Sequence, residues 1–520
     1  MAITTTTTTA ARTKDASLAH DLQFMVALSG FSFLIHEMRN FAQGRQRRQR
    51  QRDNGDDTNG DDESLWNNEM AAFARIMSFP LTVKDLLELV QKNKKSLVPV
   101  EGEARYQAHL EMCSFLLNSS SNNKYSTSNN TQQGDDEADA TEAGQLLETQ
   151  HQGPIFLNYT DYDAGAAHDA VYSMVLDHVH RRIIVVWRGS ITKKDWTADI
   201  TVTPVNVPHP LYNNPNNNNK HKWPHYMKMH KGFYDYIFQP VTVRADTEQD
   251  DDDGEEEKGQ QQNIGPRRLG HNKKGKTENK KQQPRTVFDE VVQQIQALLE
   301  QYPDYKLVTT GLSLGGALTA VFAFFAAADD RLPPITCYSL ASPKIGKIAF
   351  RKACLYNERI GKLRLLRVAN QFDPVVLLPR NTLYWCSCFF LCPNVTYLLM
   401  CCMCCTQASI YRHVGLGLIL PLNENKQPIF VHTRFHTNFC RTLLSDWAKL
   451  CARGYFLLCH FCCLVLSCGK NAKYYRQFHG YAAYWKRVRD HLTDFEGLTL
   501  EGLYDEIVSD DHTHVRTMFM

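Results

Sequence analysis

The stretch that decides the fold runs from Gln301 to Ala320, QYPDYKLVTTGLSLGGALTA. Tyr305–Thr310 (YKLVTT) has the composition of a short buried strand, and Leu314–Ala327, rich in Ala and Phe, that of a buried helix. Between them lies Gly311-Leu312-Ser313-Leu314-Gly315, a G-x-S-x-G pattern. At a strand-to-helix junction this spacing makes chemical sense. A sharp turn needs small neighbours, and it holds a serine in a strained conformation with its hydroxyl presented. The helix N-terminus behind it places backbone N–H groups where negative charge can develop.

Outward from this junction, strand and helix patterns alternate. Val287, Val291, Val292, Ile295, Leu298 and Leu299 repeat at helical spacing, and Pro303 closes that segment. Ile335–Leu340 and Leu363–Ala369 read as strands downstream. Upstream, Ala170–Asp177 and Arg182–Arg188 flank HVHR as a hairpin. The alternation predicts an α/β architecture with a mostly parallel central sheet.

Composition narrows the class. With 520 residues, 43% hydrophobic and 22% charged, the chain is neither collagen-like nor wholly disordered. Its 58 basic and 56 acidic residues nearly balance, which argues against a protein built to bind nucleic acid. Four stretches, 41–64, 118–150, 212–221 and 244–286, lack core material. The basic run Arg45–Arg52 (RQRRQRQR) precedes the acidic DNGDDTNGDDE, and Asp250–Glu257 is answered by Lys273–Lys281. Such blocks are commonly solvated and disordered; nuclear import or anionic lipid are the functional options for the basic one. Of the 16 cysteines, 13 lie between Cys386 and Cys468, unlike a disulfide framework that staples a whole secreted chain. Leu22–Ile35 (LQFMVALSGFSFLI) has the length of a signal h-region, but Asp15 and Asp21 dilute its flank and no A-x-A site follows. These features predict an intracellular location, with membrane or lipid-droplet association.

Five ordered blocks then resemble one family, the fungal-type or class 3 triacylglycerol lipases of the α/β-hydrolase superfamily. Gln301–Ala320 resembles the nucleophile elbow, and Ile183–Ile200 (IIVVWRGSITKKDWTADI) the oxyanion strand and start of the lid. Met229–Tyr236 (MHKGFYDY), Leu340–Phe350 (LASPKIGKIAF) and Arg367–Pro379 (RVANQFDPVVLLP) resemble the segment after the lid, the one after the elbow and the acid loop. Two departures stand out: Leu312 where the family usually has His, Tyr or Phe, and Val376 in place of a proline.

The resemblance implies an α/β-hydrolase fold, to which the residue patterns add a helical N-terminal extension and several low-complexity inserts. It implies a serine carboxyl-ester hydrolase of acylglycerols at a lipid–water interface. The alternatives are a phospholipase or diacylglycerol lipase, or a catalytically silent membrane-binding protein. The implied catalytic residues are Ser313, Asp373 and His491, the last from the match of Asp490-His491-Leu492-Thr493-Asp494-Phe495 to a terminal D-H-x-x-Y/F loop. His479 is the second candidate for the base; His413, His432, His436, His460, His512 and His514 also follow Asp373. Ser190 and the backbone N–H of Leu314 are implied to form the oxyanion hole, and Asp195, Trp196 and Ile200 to belong to an amphipathic lid. No cofactor or metal is implied. The partners are acylglycerol or phospholipid substrate and a lipid surface.

The implied organisation is a largely disordered region 1–68, a helical extension and polar linker 69–150, a catalytic domain 151–500 and a tail 501–520. Inserts at 381–410 and 450–470 are apolar and Cys-rich. Leu383–Cys405 carries no charged residue and Gly454–Cys468 is a second such run. Both lie between the acid and base in sequence, which predicts loops anchored in one membrane face rather than a single span. S-palmitoylation of Cys401, Cys402, Cys404 or Cys405, zinc binding and a buried Cys-rich extension are the alternatives.

Overall fold

The computed structural model describes residues 17–53, 79–92, 94, 102–121, 153–161, 171–189, 203–213, 223–238, 240, 285–373, 375–378, 411–432 and 478–509. Ser190, the lid residues Asp195, Trp196 and Ile200, both Cys-rich runs and nearly all of the insert 244–286 lie outside them.

The central sheet contains β1 (Leu81–Thr82), β2 (Ile155–Phe156), β3 (Thr160–Asp161), β4 (Val171–Asp177), β5 (Arg182–Trp187), β8 (Lys306–Leu312), β9 (Ile335–Leu340), β10 (Leu363–Asn370), β11 (Leu416–Leu420) and β12 (Ile429–His432). Its order is β1-β2-β4-β5-β8-β9-β10-β11-β12, with β3 beside β4. From β5 to β11 every pairing is parallel, and both flanks are antiparallel. The expected β4–β5 hairpin is present, Tyr172 facing Trp187 across it. A separate ribbon pairs β6 (Pro204–Pro208) with β7 (Tyr226–His230).

Each face of the parallel sheet is buried under helices, the usual condition for such sheets. Along β5 the residues alternate: Ile183, Val185 and Trp187 join one core cluster, Ile184 and Val186 the other. The first face is covered by α4 (Lys231–Phe238), α5 (Val287–Gln301), α6 (Leu314–Ala327) and α7 (Ile348–Arg359). Helix α5 begins where Thr286 and Asp289 cap one another: Thr286 Oγ1 accepts from the Asp289 amide at 3.2 Å, and Asp289 Oδ2 from the Thr286 amide at 3.0 Å.

The second face corrects an expectation. Composition argues for disorder over 1–68, yet Leu18–Asp53 is one helix, α1. The reason is burial. Its apolar segment covers the second face together with α2 (Val83–Lys92), α3 (Glu103–Ser121), α8 (Tyr481–Asp490) and α9 (Leu500–Ser509). Phe24 to Leu28 are buried in unbroken succession, so this part of α1 is enclosed on all sides. Among the described residues, Leu18–His36 is the helix long and apolar enough to cross a membrane, and 78% of that window is buried within the protein. Polar contacts fix its position. Asp21 pairs with Arg182 at 2.7 Å and accepts from Tyr338 Oη at 2.7 Å. Ser29 Oγ lies 3.4 Å from Thr310 Oγ1 of β8.

Candidate active site

Ser313 stands between β8 and α6 with φ 64° and ψ −122°, a conformation strained for any residue with a Cβ. The surroundings impose it. A Cβ on Gly311 would strike the Gly315 carbonyl, and one on Gly315 the Trp187 carbonyl, so the turn can close only with glycine at both places. The Ser313 amide donates to the Leu340 carbonyl at 2.9 Å, which ties the turn to β9. Leu312, the departure from the family pattern, is 2% exposed and lies in the core cluster of the second face.

Asp373 follows the carboxyl end of β10, where ligand chemistry gathers in open α/β sheets. Its Oδ1 accepts from the Val375 amide at 2.9 Å, and its Oδ2 from Tyr484 Oη at 2.7 Å. The same Tyr484 hydroxyl accepts from the Asn370 amide at 3.0 Å, so one buried phenol joins the end of β10 to the carboxylate.

The histidine that joins serine to acid is His479. Its Nε2 lies 2.7 Å from Ser313 Oγ, and its Nδ1 lies 3.0 and 2.9 Å from the two Asp373 oxygens. Asn370 Nδ2 donates to the Phe478 carbonyl at 3.0 Å and pins the backbone just before it. An ionised carboxylate only accepts, so Nδ1 carries the proton and Nε2 is left to accept from the serine hydroxyl. Ser313 is 6% exposed, His479 3% and Asp373 1%, so little water screens the chain of hydrogen bonds.

His491, the expected base, is therefore corrected. It terminates α8, whose ten residues separate it from His479 by about 15 Å. Its Nδ1 meets Asp494 Oδ2 at 2.9 Å, and its Nε2 faces the Pro421 carbonyl at 3.4 Å. The ring is fully buried and caps a turn. Only one sequence signal favoured His479: it directly precedes a helix that carries Tyr481, Tyr484 and Trp485. Two of those aromatics bind the site's surroundings, Tyr484 at Asp373 and Tyr481 beside Phe33 of α1.

Leu314 opens α6, where the first amides of a helix lack intrahelical acceptors. Gly189, the last described residue before Ser190, lies against the elbow: a Cβ there would crowd the Leu312 carbonyl and the Phe33 ring. The arrangement as a whole offers a hydroxyl, a base oriented by a buried acid, and free amides at one strand edge. That constellation suits nucleophilic attack on an acyl carbon.

Residues 184–383 match the model of the family Lipase (class 3). Phospholipase A1-Igamma1, chloroplastic, of Arabidopsis thaliana is 31% identical over 105 residues, which is 18% of this chain and 19% of the relative. Galactolipase DONGLE, chloroplastic, of the same plant is 28% identical over 100 residues, 18% of this chain and 20% of the relative. The chain thus spans about a fifth of the length of these relatives. Among solved structures, the Rhizomucor miehei lipase propeptide complex matches with a TM-score of 0.32 at 18% identity, covering 55% of this chain and 62% of that one.

Proposed function

We propose that this chain, whose residues 184–383 match the class 3 lipase family, hydrolyses the carboxyl esters of acylglycerol lipids at a lipid–water interface. The observation that carries the proposal is the Ser313–His479–Asp373 hydrogen-bond chain at a positive-φ elbow. Ser313 Oγ attacks the ester carbonyl carbon while its proton passes to His479 Nε2. Asp373 holds the Nδ1 proton and stabilises the imidazolium that forms. The Leu314 amide and Ser190 stabilise the tetrahedral oxyanion, each donor worth roughly 3–4 kcal/mol in such sites. His479 then protonates the departing alkoxide, and water attacks the acyl-enzyme with His479 again as base. The segment containing Asp195, Trp196 and Ile200 acts as the lid.

A second substrate reading has its own support. The relatives' names, phospholipase A1 and galactolipase, point to polar glycerolipids. The experiment is hydrolysis by the purified full chain of triacylglycerol, diacylglycerol, phospholipid and galactolipid, each in mixed micelles. Release of fatty acid that Ser313→Ala abolishes is expected, and the preferred lipid assigns the head group. No release from any of the four would overturn the proposal.

A further inference from the structure

Helix α1 runs from one edge of the sheet to the other and does not stop there. Asp21 pairs with Arg182, the first residue of β5, and fifteen residues on His36 accepts from Arg188 just past its end. Those fifteen residues span about 22 Å of helix and the six strand steps about 20 Å, so α1 lies along β5 and points the same way. The far edge is the catalytic one. Trp187 pairs with Gly311, and Phe33 of α1 packs against Gly189 and lies 5.9 Å, ring to ring, from Tyr481, two residues after His479.

Beyond His36 the helix continues to Asp53, roughly 25 Å further at the α-helical rise. That extension therefore projects from the edge at which substrate must arrive. Residues 40–52 contain five arginines, Arg45, Arg47, Arg48, Arg50 and Arg52, and no acidic residue. Positions 45, 48 and 52 share one helical face, whereas 47 and 50 fall on the other side. With arginine on both sides and little apolar content, the extension lacks the apolar face that interfacial helices bury. Its charge suits contact with anionic headgroups.

We propose that the Arg45–Arg52 end of α1 is an electrostatic docking element that holds the catalytic edge against an anionic lipid surface. This rests on the lipolytic reading of the site. The element is anchored where it can act: its root is buried in the core beside the elbow, so a surface that binds its tip is brought to the site. Nucleic acid, the other polyanion, has no reason to approach a lipid-hydrolysing edge.

The test compares the full chain with a variant carrying Gln at all five arginines and another carrying Lys. Vesicle sedimentation is measured on pure phosphatidylcholine and on phosphatidylcholine with 30% phosphatidylglycerol, at 0.1 M and 0.5 M NaCl. The partition of the parent protein should rise at least 30-fold on the anionic vesicles at low salt and lose most of that gain at high salt. The Lys variant should keep the gain within a few-fold, and the Gln variant should gain less than three-fold. Because the comparison is between two vesicle types, an additional apolar anchor does not affect it. Turnover of a soluble short-chain ester should be the same in all three proteins. Loss of that turnover in the parent would count against the hydrolase reading, not against docking. An undiminished gain in the Gln variant, or tighter binding of a DNA duplex than of anionic vesicles at equal salt, would overturn the docking proposal.

Discussion

Helix α8 has a histidine at each end, and the two make an instructive pair. His479 and His491 are both buried, and each places Nδ1 about 2.9 Å from an aspartate oxygen. They differ in what Nε2 meets. For His479 it is the hydroxyl of Ser313 at 2.7 Å; for His491 it is the Pro421 carbonyl at 3.4 Å. A carbonyl has no proton to give, so His491 has nothing to activate. A histidine–carboxylate pair is thus a structural device as readily as a catalytic one, and the third partner separates the two.

The largest effect should come from exchanging their fates. His479→Ala is expected to lower kcat on a soluble ester by at least 1,000-fold, because the serine loses its base. His491→Gln should stay within a few-fold in kcat while losing about 1–3 kcal/mol of stability, the price of disturbing a buried hydrogen bond. Steady-state kinetics with urea melts on both proteins would check this, and the reverse ranking would break the comparison.

A buried charge pair remote from the serine sharpens it. Asp21 and Arg182 join α1 to β5, and Asp21→Asn leaves a buried guanidinium without its carboxylate. Such a loss destabilises by about 3–5 kcal/mol. Equilibrium unfolding should show it, with kcat nearly unchanged wherever the variant remains folded.

The same region carries a pH signature. Burial, then the neighbouring His180 and Arg182 charges, lower the His20 pKa from 6.5 to about 4 against the opposing pull of Asp21 and Asp177. The folded protein therefore binds this proton less readily than the unfolded chain. Stability is full above about pH 6.5 and falls as pH drops toward 4, by up to about 3 kcal/mol from this residue. Melts of the parent and His20→Phe proteins at several pH values should show a steeper acid loss in the parent.

The smallest effect concerns Tyr484. Its hydroxyl donates to Asp373 Oδ2 at 2.7 Å and accepts from the Asn370 amide at 3.0 Å, and Tyr484→Phe removes both bonds. A fall in kcat of about 10- to 100-fold is expected, in line with the roughly 1.5–3 kcal/mol of a hydrogen bond to a charged group. KM should hold, and the acidic limb of the rate profile should move.

Much of the fold was legible in the residues. Val287–Gln301, Leu314–Ala327 and Ile335–Leu340 appear with the boundaries their patterns predict, since period and turn chemistry agree in each. Ser313 and Asp373 were marked by the junctions they occupy. Two features were hidden for different reasons. The base was hidden because Asp490–Phe495 imitates a terminal loop, and which histidine reaches Ser313 depends on where α8 packs. Helix α1 was hidden because its composition changes sign midway, from apolar Leu22–Ile35 to arginine-rich 45–52. A parallel sheet needs cover on both faces, and that apolar run supplies part of the second.

The most direct measurement is covalent labelling by a fluorophosphonate, with the modified peptide mapped by mass spectrometry. The serine Oγ attacks the reagent's phosphorus and expels fluoride, leaving a phosphonylated serine, and this is rapid where a neighbouring base activates the hydroxyl. In the full chain, Ser313 should be labelled, rapidly in the parent and in His491→Gln, and at least 1,000-fold more slowly in His479→Ala. Rapid labelling of His479→Ala, or a label carried by a serine other than Ser313, would contradict the account.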